Sequence, residues 1–166
     1  NAGAAHVVAD VVGVFQADVT QSEYVGIAPR RLLDSRNGTG GFATPWPELT
    51  PRDVTVAGVP GSGVPAGATA VVLNVTIENP SEATHLTVWP TGSARPVASN
   101  LNVVAGQTRP NMVIAKVGTG GKVSIYNATG TAHVIVDVLG WFPTAALTSL
   151  TPARLLDTRP GGATVD

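Results

Sequence analysis

The chain has 166 residues, 43% of them hydrophobic and 13% charged, with a formal net charge of −1 and no cysteine. That length is enough for one ordinary domain with its own core, and so low a charge content excludes the strongly charged disordered class. Arginine and lysine form no basic run, which argues against a nucleic-acid partner, and no apolar run reaches the roughly 18 residues of a membrane span.

Without cysteine the core must hold without disulfides, and cysteine usage does not fix the compartment. The 19 glycines and 13 prolines fall between apolar runs, as punctuation of many short strands. The first residue is Asn1, as expected of a mature, cleaved or partial product.

In chain order, "AHVVADVVGVF" (5–15) is an apolar strand interrupted by Asp10. After a mixed joint comes "PRRLLDSR" (29–36), then the Gly-rich "GTGG" (38–41), a loop with no phosphate-cradle Lys-Ser/Thr after it. "RDVTVAG" (52–58) is a strand, and "GSG" (61–63) is a turn. "TAVVLNVTIEN" (69–79) alternates with period two, placing Val71, Leu73, Val75 and Ile77 on one face and Asn74, Thr76 and Glu78 on the other. "THLTVWP" (84–90) alternates Leu86 and Val88 with Thr87 and Trp89, and "SNLNVVAG" (99–106) ends at a glycine. "NMVIAKVG" and "KVSIYN" flank "GTGG" (118–121), which predicts a hairpin. "AHVIVDVLGWF" (132–142) is apolar on both faces and therefore central in its sheet. No segment carries a helical stripe. The pattern predicts an all-β unit, an antiparallel β-sandwich or jelly roll of about eight short strands, with a barrel as the other closure.

The ends repeat. Residues 5–15 match 132–142 at an offset of 127, and "RLLDSR" (31–36) matches "RLLDTR" (154–159) at an offset of 123. The order is an end, a start, an end and a start. The expected organisation is the closing strand of one repeat, or a donated strand (1–15), a linker (16–28), a complete repeat (29–143), and a linker with the start of a further repeat (144–166).

Little suggests catalysis. His6, His85 and His133 have no metal-ligand spacing, no nucleophile elbow occurs, and no metal or cofactor is expected. Asn-x-Thr sequons stand at Asn37, Asn74 and Asn127 and matter only in a glycosylating pathway. Trp46 and Trp89 could offer a stacking platform to a glycan, or fill the core. The sharper pattern is the repeated charge. Asp137, with Asp10 as its copy, interrupts an apolar strand, on a period-two face with Ile135, Leu139 and Trp141. A buried carboxylate needs a cation, and Arg can clamp it through two parallel hydrogen bonds. Arg31 and Arg36, and their copies Arg154 and Arg159, are the candidates, with Asp34 and Asp157 placed to orient them. Asp137 is expected to be largely buried and within hydrogen-bond reach of an Arg of the hexapeptide, Arg36 first and Arg31 second. In the alternative, each hexapeptide latches onto the preceding repeat, pairing Arg36 with Asp10 and Arg159 with Asp137.

Through these motifs residues 29–143 resemble a tandem domain of secreted actinobacterial proteins: "RLLDSR", "GVPAGATAVVLNVTIENP", "LTVWPTGSARPVASNLNVVAGQTRPN", "GTGGKVSIYN" and "AHVIVDVLGWF", in that order. The first hexapeptide departs from the pattern at Ser35, where Thr is usual, and in the extra Arg30. The resemblance implies an exported, non-catalytic domain of long surface or extracellular proteins, some accompanying hydrolases. It leaves adhesion, scaffold and filament open. The expected partners are neighbouring repeats or identical subunits, through strand or interdomain contacts, with cell-wall polysaccharide as the partner of a carbohydrate-binding alternative.

Overall fold

The computed structural model describes residues 8–15, 24–143 and 147–157, the two flanking segments as backbone strands. Residues 24–143 contain eight strands and no α-helix: β2 (Val25–Asp34), β3 (Arg52–Thr55), β4 (Ala70–Glu78), β5 (Thr84–Pro90), β6 (Leu101–Val103), β7 (Arg109–Lys116), β8 (Lys122–Asn127) and β9 (His133–Phe142). One 3-10 turn, Thr119–Gly121, joins β7 to β8. The flanking strands are β1 (Val8–Phe15) and β10 (Leu147–Asp157). β2 begins at Val25, inside the segment expected to be linker.

The eight strands form two antiparallel four-stranded sheets, ordered β2-β9-β4-β7 and β3-β8-β5-β6. First pairs with last, β2 with β9; then β3 with β8, β4 with β7 and β5 with β6. This nesting, one long antiparallel ribbon rolled until β9 meets β4 and β8 meets β5, is the jelly-roll wrap.

Period-two alternation builds the core. Val71, Leu73, Val75 and Ile77 of β4 join Val134, Val136 and Val138 of β9, and meet Leu86, Val88, Val123 and Ile125 of the other sheet. β9, apolar on both faces, lies inside its sheet between β2 and β4. A register shift between Arg31 and Leu33 lets successive leucines, Leu32 and Leu33, both enter the core while Arg31 stays exposed. A second shift, opposite Val72 and Leu73, sets Val138 and then Gly140 against successive residues of β4, so Trp141 packs on the core rather than sharing the face of Asp137. The outer face of this sheet carries a smaller apolar cluster: Ala70, Val72 and Phe142, flanked by Ile114 and Leu139.

The "GTGG" segment is not a hairpin. It carries the chain from β7 in one sheet to β8 in the other. Gly118 permits this crossing, because a Cβ there would lie 2.2 Å from the Thr91 nitrogen and 2.3 Å from its oxygen. Gly120 and Gly121 take left-handed φ values of 69° and 74°.

β1 and β10 form their own two-stranded antiparallel sheet. Its register maps onto that of β2 and β9 through the two sequence offsets.

Candidate functional site

The charged residues of "RLLDSR" converge at the end of β2. Asp34 is buried, and its side chain is 1% exposed. Its carboxylate accepts from Arg36 Nε at 2.9 Å, Arg36 Nη2 at 2.7 Å, the Arg36 backbone N–H at 3.1 Å and Arg31 Nη1 at 2.8 Å. Arg31 also clamps Asp137 in the bidentate manner, Nε to Oδ1 at 2.6 Å and Nη2 to Oδ2 at 3.2 Å. Arg36 Nη1 donates to Glu78 Oε2 at 2.8 Å. The result is a chain of five charges of alternating sign: Asp137, Arg31, Asp34, Arg36, Glu78.

Topology explains the convergence. Asp137 on β9 has Arg31 of β2 as its Cα partner on one side and Asn74 of β4 on the other. Past Asp34 the chain turns, with the Asn37 and Gly38 N–H groups both donating to the Asp34 carbonyl, and this brings Arg36 back over the Asp34 side chain. The remaining hexapeptide residues are also engaged. Ser35, fully buried, accepts from the Val134 N–H and hydrogen-bonds His133 Nδ1, and Leu32 and Leu33 sit in the core.

One expectation needs correction. Asp137 is largely buried, its side chain 20% exposed on the outer face of its sheet. Its partner is Arg31, not Arg36, since only Arg31 sits opposite it in register, and Arg36 lies beyond the strand end. The buried acid is Asp34. Glu78, Ser35 and His133 are members that the sequence pattern alone does not assign; the polar face of β4 points to Glu78, and the spacing of Ser35 from Arg31 carries no chemical signal of its own. The β1–β10 ribbon sets Asp10 opposite Arg154 and Val8 opposite Asp157. Arg159 and His6 lie outside the described residues, and so does any pairing of Arg159 with Asp137.

The electrostatics follow from the geometry. The Arg36 hydrogen bonds, with help from Arg31, hold the Asp34 carboxyl well below the usual carboxylate range, against the opposing effect of burial. Asp137, ahead of Asp34, raises the pKa of Arg31, and Asp34 does the same for Arg36. All three groups are therefore locked in their charged forms. An acid–base catalyst needs the opposite, a group poised near the working pH.

The tryptophans are structural. Trp46 is fully buried and donates from Nε1 to the Ile125 carbonyl at 2.8 Å, with Arg52 stacked 4.9 Å from its ring centre. Burial lowers the pKa of Arg52. Trp89 is buried too and donates to the Ser93 carbonyl at 3.1 Å. The segment that follows β5 covers the outer face of its sheet: Thr87 donates to Ala98, and Arg95 stacks 3.7 Å above the Tyr126 ring. Neither Trp46 nor Trp89 offers a face to a glycan.

Asn127 is fully buried. It accepts from Thr84 Oγ1 and donates to the carbonyls of Trp46, Thr129 and Gly130, so this sequon is an internal clasp between loops. A cleft of about 300 Å³ is lined by Arg30, Arg31, Val59, Pro60, Gly61 and Ser62. Its cations are already committed, Arg30 to the Gly61 carbonyl and Arg31 to two carboxylates. Among the described residues no group of three or more His, Cys, Asp or Glu could hold a metal ion, and no helix is long and apolar enough to cross a membrane. Compared with known proteins, the chain matches no protein-family model and no curated sequence.

Proposed function

We propose that this chain is a non-catalytic structural repeat of an exported, cell-surface or extracellular protein that builds a filament, stalk or adhesin-like assembly. One observation carries the reading. Each of the six Cα pairs between β2 and β9 has its counterpart between β10 and β1: Arg31–Asp137 corresponds to Arg154–Asp10, and Leu33–Val136 to Leu156–Ala9. The repeated motifs are thus repeated as paired strands, which is what a modular array of one unit requires. The charge cluster supports a structural role, since every member is an ion-pair partner and its buried acid is held ionised.

Electron microscopy of the native material, with sedimentation of the purified chain, tests this. Regular assemblies with a subunit the size of one sandwich are expected. Monomers at every concentration, together with saturable quenching of tryptophan fluorescence by a polysaccharide, would replace the reading with that of a carbohydrate-binding module.

A further inference from the structure

We propose that β1 of one copy pairs with β10 of a second copy, so that chains join head to tail through the same strands that pair within one chain. The proposal rests on the structural-repeat reading and names the partner: another copy of this chain, offering a strand.

The register carries the argument. The β2–β9 pair has two irregularities, between Gly26 and Arg30 and between Arg31 and Leu33. The β1–β10 pair has two as well, between Ala9 and Asp10 and between Val11 and Gly13. By the offsets these are the same two places. Neither pair is joined by a tight turn: Arg31 and Asp137 are 106 residues apart, and Asp10 and Arg154 are 144 apart (154 − 10). With no hairpin turn to impose it, the register is specified by the strands themselves. The intervening chain supplies only proximity, and a strand of the same sequence on another copy carries the same specification.

The second argument is the low cost of opening. Among the described residues β9 is bordered on both edges, by β2 and β4, whereas β1 is paired on one edge, by β10. A two-stranded ribbon is marginal without further strands or a covering layer. β10 also lies against β7 and β5 of the sandwich, so β1 is the strand that can leave at low cost, and re-closing on another copy restores the same pairs. A strand given in one direction and received from the other is a heterologous contact, which generates open chains or rings. Pairing within the chain is favoured by an effective concentration on the order of 1 mM, so exchange should rival it near that local concentration.

The absence of native cysteine makes a clean test. Val11 and Ala153 are Cα partners. The full-length double variant V11C/A153C should close an intrachain disulfide in dilute solution. Equimolar V11C and A153C single variants are then mixed over a range of concentrations, oxidised briefly and mapped by peptide mass. The mixed V11C–A153C dimer should grow with concentration and, approaching about 1 mM, rise well above one half of the crosslinked product, the share that random pairing of an equimolar mixture gives. Replacing A153C by T148C, whose partner is Val14, should hold the mixed dimer at that random share of one half, the background. If the double variant closes but the mixed dimer never exceeds that background, pairing is confined to one chain and exchange is wrong, while the repeat reading stands. If the double variant does not close either, the ribbon does not form and both fall.

Discussion

Asp34→Asn is the substitution that most directly tests the charge cluster. The change is isosteric and removes one unit of negative charge from a buried site that two guanidiniums hold. Asn keeps one acceptor oxygen but turns an –NH₂ toward cationic donors. With the amide at Oδ2, the bonds from Arg31 Nη1 and Arg36 Nη2 are both lost. Charge-assisted hydrogen bonds contribute about 1.5–3 kcal/mol each. The two arginine side chains are 42% exposed and can rehydrate, which offsets part of the loss. The expected cost is therefore about 3 kcal/mol, the low end for removing one member of a buried pair. In a unit of this size that corresponds to a melting temperature lower by roughly 10 °C.

The assay is urea unfolding followed by tryptophan fluorescence, at neutral and acid pH. The folded carboxyl titrates below its ordinary value of 3.8, so the unfolded chain takes up the proton first. Stability contributed by Asp34 is complete above that value and declines by about 1.4 kcal/mol per pH unit as pH falls below it toward the lower folded value. The native chain should lose this contribution on acidification, and Asp34→Asn, having none to lose, should show a shallower decline below pH 3.8. A neutral-pH difference within about 0.5 kcal/mol, the range of ordinary surface changes, together with parallel acid profiles, would refute the reasoning.

Asp137→Asn, on a half-exposed pair, should cost no more than about 1 kcal/mol, and the difference from the native chain should shrink at high salt in the same unfolding assay. Asn127→Ala, which strands a buried Thr84 hydroxyl and the Thr129 and Gly130 carbonyls, should cost about 3 kcal/mol by urea unfolding. The glycines should separate. Gly118→Ala drives a Cβ into the Thr91 backbone and should cost at least about 2 kcal/mol, whereas Gly140→Ala meets the Tyr24 ring, which can swing away, and should cost about 1 kcal/mol or less. Loss of the bond from Tyr24 Oη to the Leu139 carbonyl would report the second change in the near-ultraviolet circular dichroism of tyrosine.

Alternation alone made β4 and β5 legible, and the two-sided apolarity of 132–142 made β9 a central strand. The same rule misplaced Trp141, because a bulge shifts the period by one residue and leaves no mark in composition. It also hid which side of the sheet carries Asp137. The outer face of the β2-β9-β4-β7 sheet carries apolar residues of its own, among them Val72, Leu139 and Phe142, so both faces of β9 look like core. Arg36 was preferred over Arg31 because the sequence shows the spacing of the hexapeptide but not the turn at Asp34 that carries Arg36 back onto it. Trp46 lies outside every predicted strand, and its burial comes from isolated bridges to the far end of the chain. Such contacts join residues some 80 positions apart, beyond the reach of any local pattern.

The jelly-roll wrap has a consequence for assembly. Pairing first strand with last sets the entry and exit of the unit side by side: Val25 is opposite Trp141, and the Tyr24 and Phe142 rings lie 5.5 Å apart. A chain that enters and leaves at one end of a sandwich gains almost no length by passing through it. Units strung on a covalent chain alone would hang from their joints, and the spacing along the array would be the length of the joints. A filament whose rise is set by the sandwich itself must take that rise from contacts between units. Strands exchanged between copies, as proposed, would supply such a contact by fixing each unit to the next through the register that sets Asp10 opposite Arg154. Within a unit the hexapeptide gathers Arg31 and Arg36 around Asp34 at the end of β2; under the proposed exchange its copy in β10 would also set which strand meets which, and where.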